Sequence, residues 1–333
     1  TAGAGITTGN YNQAFGYQCM NTGPTTGSYN TAYGAQSAIA ITSGANNVAI
    51  GHQALYANTT ASYNTAVGYQ SLYTNVTGNA LSALGFEALK LNTGSNNSAV
   101  GFKALATNSS GSTNTAMGDR ALFSNTTASE NTAVGYQSLY ANTTGTRNVG
   151  VGYNTLSLNT TANDNTSVGH DALDVNTTGV SNTALGSSAL GSNTTASNNT
   201  AIGHESLYFN TTGAGNTAVG RQAGKSGSGS SRTMIGFQAG VANTGGNNST
   251  GIGYQVLSSE SGGGNNVGVG YGACNVTTGS ANVAMGVQTL SAVNGNASFN
   301  TALGMQALRN TTADNNTAVG YQAGYNNTTG TPT

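Results

Sequence analysis

Residues 131–145 read NTAVGYQSLYANTTG, and at 148–162 the chain restarts almost the same phrase as NVGVGYNTLSLNTTA. The Gly after the small-apolar pair recurs at Gly16, Gly34, Gly51, Gly68, Gly85, Gly101, Gly118, Gly135, Gly152, Gly169, Gly186, Gly203, Gly220, Gly236, Gly253, Gly270, Gly286, Gly304 and Gly320. From Gly16 to Gly320 there are eighteen steps, a mean period of about 16.9 residues. A unit this short cannot bury its own apolar side chains and must stack on its neighbours. The expected fold is therefore all-β, a parallel β-solenoid (β-roll) of about nineteen 17-residue repeats. It reads as a single elongated domain over 1–333, Gly-rich and irregular at 220–264.

Helices are disfavoured because a Gly sits in every repeat and Thr, Val and Asn dominate around it. Short strands joined by Gly and Asn turns fit better. Charged residues make up only 5% of the chain, with eight basic and nine acidic side chains scattered singly. That leaves no basic stripe for nucleic acid and no basic amphipathic helix for a membrane surface. No apolar run approaches the length of a membrane span, and TAGAGITTGN does not read as a signal peptide. The expected partners exclude nucleic acid and membrane insertion, and the chain reads as already processed or as a window of a longer one.

With the recurring Gly as slot 0, each repeat carries Asn at −4, Thr at −3, Ala at −2, an aliphatic residue at −1, an aromatic at +1, Gln at +2, Ala or Ser at +3, Leu at +4 and Asn-Thr-Thr from +7. Slot −1 (Val67, Leu84, Val100, Met117, Val134) is expected to point into the coil. Leu55, Leu72, Leu89, Leu105, Leu122 and Leu139 in slot +4 should fill the opposite side of the core. Strand alternation then turns slot −2 outward. Ala66, Ala83, Ala99, Ala116, Ala133, Ala184, Ala201 and Ala218 are thus expected to form a small-residue face on which another copy of the chain packs.

Asn occupies slot −4 in sixteen of nineteen repeats. Stacking puts these side chains about 4.7 Å apart, close enough for a hydrogen-bonded ladder. Glu130, Arg147 and Asp164 share one slot in successive repeats, which predicts an alternating-sign ladder. Slot +1 holds Tyr17, Tyr69, Phe86, Phe102, Tyr136, Tyr153, Phe237, Tyr254, Tyr271 and Tyr321 together with His52, His170 and His204. Ring-over-ring stacking is the expected use, with a carbohydrate-binding aromatic track as the alternative. Histidines two coils apart are too distant to share a metal.

Cys19 and Cys274 lie fifteen repeats apart, so they cannot bridge within one chain. Each stands where other repeats have small or aliphatic residues, and they read as buried thiols; a covalent link between copies is the alternative. VGRQAGKS (219–226) resembles a phosphate-binding loop, but its first Gly is misplaced by one residue and the repeat accounts for both glycines. GVGYG (268–272) carries even less information, because Gly recurs throughout. No acidic pair and no Ser/His/Asp set stands out. The chain is expected not to be an enzyme, with no catalytic residues, no metal and no cofactor. At 220–264 slot +4 becomes Gly224 and Gly240, and Arg221, Lys225 and Arg232 cluster there. A thinner, more flexible stretch is expected, or a bend or inter-subunit contact.

The Asn-Thr-Thr loops have two readings. Asn58, Asn75, Asn108, Asn125, Asn142, Asn159, Asn176, Asn193, Asn210 and Asn327, with Asn275 and Asn310 close to the same row, each begin an Asn-X-Ser/Thr glycan acceptor. Asn and Thr equally serve as turn residues whose side chains bond nearby backbone.

The phrases SAVG, TAMG, TAVG, TALG and TAIG, each led by Asn and followed in most repeats by an aromatic, resemble the repeats of trimeric autotransporter adhesin heads and related phage tail-fibre and extracellular fibre proteins. The resemblance covers essentially the whole chain and implies a left-handed β-roll, commonly trimeric, projecting from a cell or virion. The leading expectation is an extracellular structural protein that assembles with copies of itself into a fibre. An adhesin or tail-fibre shaft that binds host receptors or surface glycans, and an ice-binding solenoid with Thr rows at −3 and +8, are the alternatives.

Overall fold

The computed structural model describes residues 1–292 and 296–328, and among these every regular element is a β-strand. Contacts divide the chain into two compact units, Thr1–Asn165 and Thr166–Thr333, each built from the same coil. The first unit contains nine three-residue strands: β1 (Gln13–Phe15), β2 (Thr31–Tyr33), β3 (Val48–Ile50), β4 (Thr65–Val67), β5 (Ser82–Leu84), β6 (Ser98–Val100), β7 (Thr115–Met117), β8 (Thr132–Val134) and β9 (Val149–Val151). The second contains β10 (Thr166–Val168), β11 (Thr183–Leu185), β12 (Thr200–Ile202), β13 (Thr217–Val219), β14 (Thr233–Ile235), β15 (Thr250–Ile252), β17 (Val267–Val269), β19 (Val283–Met285), β20 (Thr301–Leu303) and β21 (Thr317–Val319). Two short strands, β16 (Ser259–Glu260) and β18 (Val276–Thr277), pair separately.

Within each unit successive strands pair in parallel, slot on slot. Thr115, Ala116 and Met117 face Thr132, Ala133 and Val134, and Thr200, Ala201 and Ile202 face Thr217, Ala218 and Val219. The parallel solenoid of roughly 17-residue coils follows directly from the period.

Most backbone bonds run between coils, with turn bonds such as Asn142 N to Leu139 O at 3.2 Å inside each coil. Thr132 N donates to Asn148 O at 2.9 Å, Gly135 N to Met117 O at 2.7 Å and Leu139 N to Thr155 O at 3.0 Å. Closing a coil in so few residues takes sharp corners. Slots −5, +2 and +4 adopt left-handed backbone, as at Glu130 (φ 63°), Gln137 (φ 50°) and Leu139 (φ 54°). Such conformations are uncommon for residues other than Gly. Slot 0 is more demanding: Gly135 has φ 124°, and a Cβ there would fall on the carbonyl oxygen of Gly152 in the next coil.

The face of the strand is the reverse of the expectation. Ala66, Ala83, Ala99, Ala116, Ala133, Ala184, Ala201 and Ala218 are fully buried inside the coil. Slot −1 points outward, with Leu84, Val100 and Met117 about two-fifths exposed at 41%, 39% and 44%. Both choices satisfy strand alternation, and interior volume decides between them. Leu139 in slot +4, Ser138 in slot +3 and the asparagines Asn131 and Asn142 already fill the section of the coil opposite Ala133, so only a methyl fits.

The second unit shows how tight that section is. Met234 takes the slot −2 position otherwise held by small residues, and its coil has Gly240 in slot +4 instead of Leu. Val256, large for slot +3, lies between Gly251 and Gly268; a Cβ on Gly268 would sit 2.6 Å from its Cγ2. Gly240 and Gly251 are therefore the partners of oversized neighbours, whereas a Cβ on Gly224 would meet the ordinary slot +4 side chain of Leu207.

Candidate functional site

The interior carries two polar rows. In slot −4, the Asn131 Oδ1 accepts the Asn148 backbone N–H at 2.9 Å, while its Nδ2 donates to Gly145 O at 2.9 Å. The expected Asn ladder is thus present, made chiefly from side-chain amide to backbone. Direct amide-to-amide steps also occur, as from Asn47 to Asn30 at 3.0 Å.

Slot +7 makes the second row. Asn142 Nδ2 donates to Gly145 O at 2.9 Å and to Asn125 Oδ1 at 3.2 Å, and Asn193 Nδ2 donates to Asn176 Oδ1 at 2.9 Å. Asn58, Asn75, Asn108, Asn125, Asn142, Asn159, Asn176, Asn193 and Asn210 are all fully buried. The glycan reading fails for these nine in the folded chain, because a sugar on Nδ2 has no space and would remove the hydrogen bonds that close the loop. The turn reading describes them.

Asn275, Asn310 and Asn327 are half-buried. The Ser258 hydroxyl donates to Asn275 Oδ1, Asn310 Nδ2 donates to Asn326 Oδ1 at 2.7 Å, and Asn327 Nδ2 donates to Asn316 Oδ1 at 2.8 Å. Acceptor sequences that do reach the surface begin at Asn96, Asn198, Asn248 and Asn315 in slot −5, and at Asn247, Asn296 and Asn326 elsewhere. The signal for those in slot −5 was the left-handed corner, which favours Asn and turns its side chain away from the coil.

The outer surface has an aromatic row, a glutamine row and isolated ion pairs. His52, Tyr69, Phe86 and Phe102 stack in succession with centroids 5.1–5.5 Å apart and planes within 13°. Phe237, Tyr254 and Tyr271 do the same in the second unit. Arg120 covers the end of the first run at 5.2 Å from the Phe102 centroid, and Arg221 lies 5.7 Å from that of Phe237. Tyr17 and Tyr321 stand 68% and 67% exposed, but within the two runs ring faces are occupied by neighbouring rings or guanidinium groups, and mainly the edges meet solvent. A carbohydrate track needs free faces, so stacking is the use these rings serve. Beside them, Gln70 Nε2 donates to Gln53 Oε1 at 2.7 Å and Gln255 Nε2 to Gln238 Oε1 at 2.9 Å.

Of the expected charge ladder, Arg147 grips Asp164 with Nε to Oδ1 at 2.7 Å and Nη2 to Oδ2 at 3.1 Å. That bond, with the attraction of the charges, pulls the Asp164 carboxyl below its ordinary range, and Glu130 adds its charge at the Arg147 end.

Chemistry-bearing groups are occupied structurally. Lys225 of the phosphate-loop lookalike holds Glu205 at 2.8 Å. Cys19 and Cys274 are buried, free thiols; burial raises both, Cys274 to about 12, which keeps them protonated and unreactive. Among the described residues no three His, Cys, Asp or Glu side chains converge as a metal site would require, and no helix is long and apolar enough to cross a membrane. An open depression near the start of the chain is lined by Ala4, Gly5, Thr7, Asn21, Thr22, Gly23 and Pro24, with no titratable side chain.

What stands out is the outward strand face itself. In the first unit Ile50, Val67, Leu84, Val100, Met117, Val134 and Val151 form an unbroken aliphatic row, half-buried to exposed. In the second, Val168, Leu185, Ile202, Val219, Ile235, Ile252 and Val269 do likewise. Slot −3, mostly Thr, lines one side of each row. The fold is that of a parallel β-solenoid repeat protein, and this face carries a ribbon of partly exposed aliphatic side chains. No protein-family model matches the chain, and no curated protein matches it either.

Proposed function

We propose that this chain is an extracellular structural protein that associates side by side with copies of itself into a fibre, through the slot −1 and slot −3 face of its strands. The observation that carries this reading is the row of partly exposed Val, Leu, Ile and Met in consecutive coils. Contiguous apolar surface of this kind is uncommon on a soluble monomer and favours burial against a partner. A second copy is the natural occupant, since its coils repeat with the same rise and its methyl groups interlock at every step. With only seventeen charged residues in 333, little repulsion opposes the approach. The likeness to trimeric autotransporter heads and tail-fibre proteins agrees with an extracellular place and a small homo-oligomer as the lateral unit.

Slot −3 favours a second reading. Thr115 and Thr132 in one unit, and Thr166, Thr183, Thr200, Thr217, Thr233 and Thr250 in the other, stand beside the aliphatic row at the strand spacing of about 4.8 Å. A regular surface of hydroxyls and methyl groups is suited to ordering water, the chemistry of an ice-binding face.

Sedimentation and negative-stain microscopy separate the two. The natural chain is expected to form oligomers or filaments, and the pairs Val100→Lys with Met117→Lys and Ile235→Lys with Ile252→Lys are expected to leave discrete monomers with unchanged circular dichroism. A natural chain that stays monomeric at all concentrations would overturn self-association, and thermal hysteresis in that monomer would select the ice-binding reading.

A further inference from the structure

In a consensus coil the interior seam is monotonous, because the slot −4 and slot +7 asparagines of any coil offer the same groups to the next. If one coil is skipped and the following one docks in its place, every Asn bond and every Leu contact is regained. Register is specified only where coils differ.

Between residues 227 and 266 they differ in a complementary way. Arg232 replaces Asn in slot −4, while the slot +7 position before it is Gly227 in place of Asn. The Arg232 guanidinium donates to Gly227 O at 2.9 Å and to Asn243 O at 3.0 Å. A Cβ on Gly227 would fall on the Asn243 carbonyl oxygen and lie 2.9 Å from Arg232 Nη1, and one on Gly229 would lie 2.7 Å from the Gly246 carbonyl oxygen and 3.3 Å from Arg232 Nε. Asn210, one coil earlier in the slot +7 row, has a buried Oδ1 with no hydrogen-bond partner, as do Asn58 and Asn193 in the same row.

One coil on from Arg232, Glu260 replaces Asn in slot +7 and Ser249 replaces Asn in slot −4. The Glu260 carboxylate accepts from Ser249 Oγ at 2.9 Å, from Asn266 Nδ2 at 2.6 Å and from Asn243 Nδ2. Gly246 leaves it room, since a Cβ there would strike the carboxylate. Asn243 links the two charges: its carbonyl takes a proton bond from Arg232, and its carboxamide gives one to Glu260. Both ions are interior, at 1% and 0% exposure. Burial lowers Arg232 to about 10 and raises Glu260, and each charge opposes the other's shift.

We infer that Arg232, Glu260 and the glycines that house them are a register lock, specifying which coil stacks on which as the unit 166–333 folds. Skipping the coil of Gly236 would carry Arg232, which directly precedes Thr233, out of the stack and away from the coil that follows. The buried Glu260 carboxylate would then lack the opposite charge that Asn243 now links to it. Such ions contribute little net stability compared with neutral residues in their place, yet strongly disfavour arrangements that separate them. The inference is independent of self-association, because every group in it is interior.

Disulfide trapping tests it. Thr217 pairs with Thr233 in the native register, and Thr233 with Thr250, so Thr217 can meet Thr250 only after one coil is skipped. The pairs Thr217→Cys with Thr233→Cys and Thr217→Cys with Thr250→Cys are placed in the natural chain and in a repaired chain carrying Arg232→Asn, Ser249→Asn and Glu260→Asn. Each full chain is unfolded under reduction, refolded, and oxidised only after refolding, when Cys274 is again buried. The natural chain is expected to give the native cross-link alone, and the repaired chain to raise the skipped cross-link about tenfold, equivalent to about 1.4 kcal/mol of lost discrimination. A repaired chain that gives only the native cross-link in unchanged yield overturns the lock. So does a repaired chain that no longer folds by circular dichroism, since the three residues would then be needed for the fold itself.

Discussion

Met234 fills the space that Gly240 leaves open: a Cβ on Gly240 would sit 2.7 Å from the Met234 sulfur. The two lie in slots −2 and +4 of one coil, where other coils carry Ala and Leu. One long side chain from the strand does the work of one from the turn.

Reciprocal substitution should expose this exchange. Gly240→Leu alone overpacks the coil and is expected to lower stability by about 1–3 kcal/mol. Met234→Ala alone leaves a cavity and is expected to cost about 2–5 kcal/mol. The double variant recreates the consensus pair and should melt close to the natural chain, so a thermal double-mutant cycle should show coupling well above additivity.

Gly135→Ala should be far more damaging than its single methyl suggests. The added Cβ meets the Gly152 carbonyl, and the φ of 124° is strained for any other residue. A loss above about 3 kcal/mol is expected, measured as a fall in denaturant midpoint. Glu130→Ala in the exposed corner of the same coil should change stability by less than about 0.5 kcal/mol.

Asn142 and Asn198 should behave oppositely toward sugar transfer. Incubating the folded protein with an Asn-X-Ser/Thr glycosyltransferase and its lipid diphosphate sugar donor should add mass at the exposed corner residues Asn96, Asn198, Asn248 and Asn315. Asn142 should react only after denaturation. Peptide mass spectrometry reads both states, and modification of Asn142 in the folded chain would contradict its burial.

Glu260 gives the fold a pH dependence of definite sign. Its folded-state carboxyl is raised by burial above the ordinary glutamate value. Its stabilising contribution is therefore complete below that ordinary value and is lost as pH rises through the raised one. The slope from this group cannot exceed about 1.4 kcal/mol per pH unit. Glu260→Gln keeps the acceptor from Ser249 and should flatten this part of the stability profile, measured by urea titration between pH 4 and 8.

Much of the fold was legible because the recurring Gly counts coils directly. The slot −4 Asn ladder, the aromatic stacks and the Arg147–Asp164 pair followed from translation by one coil. The direction of the strand did not. A three-residue strand has one residue on one face and two on the other, and Ala133 and Val134 satisfy either arrangement. The clue was present at Met234, whose bulk is matched by Gly240, but it has meaning only once the two are known to share a cross-section. Likewise, Asn142 in a run of Asn-Thr-Thr gives no sign of burial, and Leu139 gives no sign of a left-handed backbone.

The sequence by itself determined the period, the parallel register and the identity of stacked partners, because each follows from repetition along one axis. The tertiary structure alone decided what lies inside each coil: Ala rather than Val, Asn142 rather than solvent-facing turns, Arg232 and Glu260 among glycines. The physical reason is volume. Repetition sets which slots recur, but only the closed coil, with Leu139 and two asparagines already in place, sets how much room each slot has left.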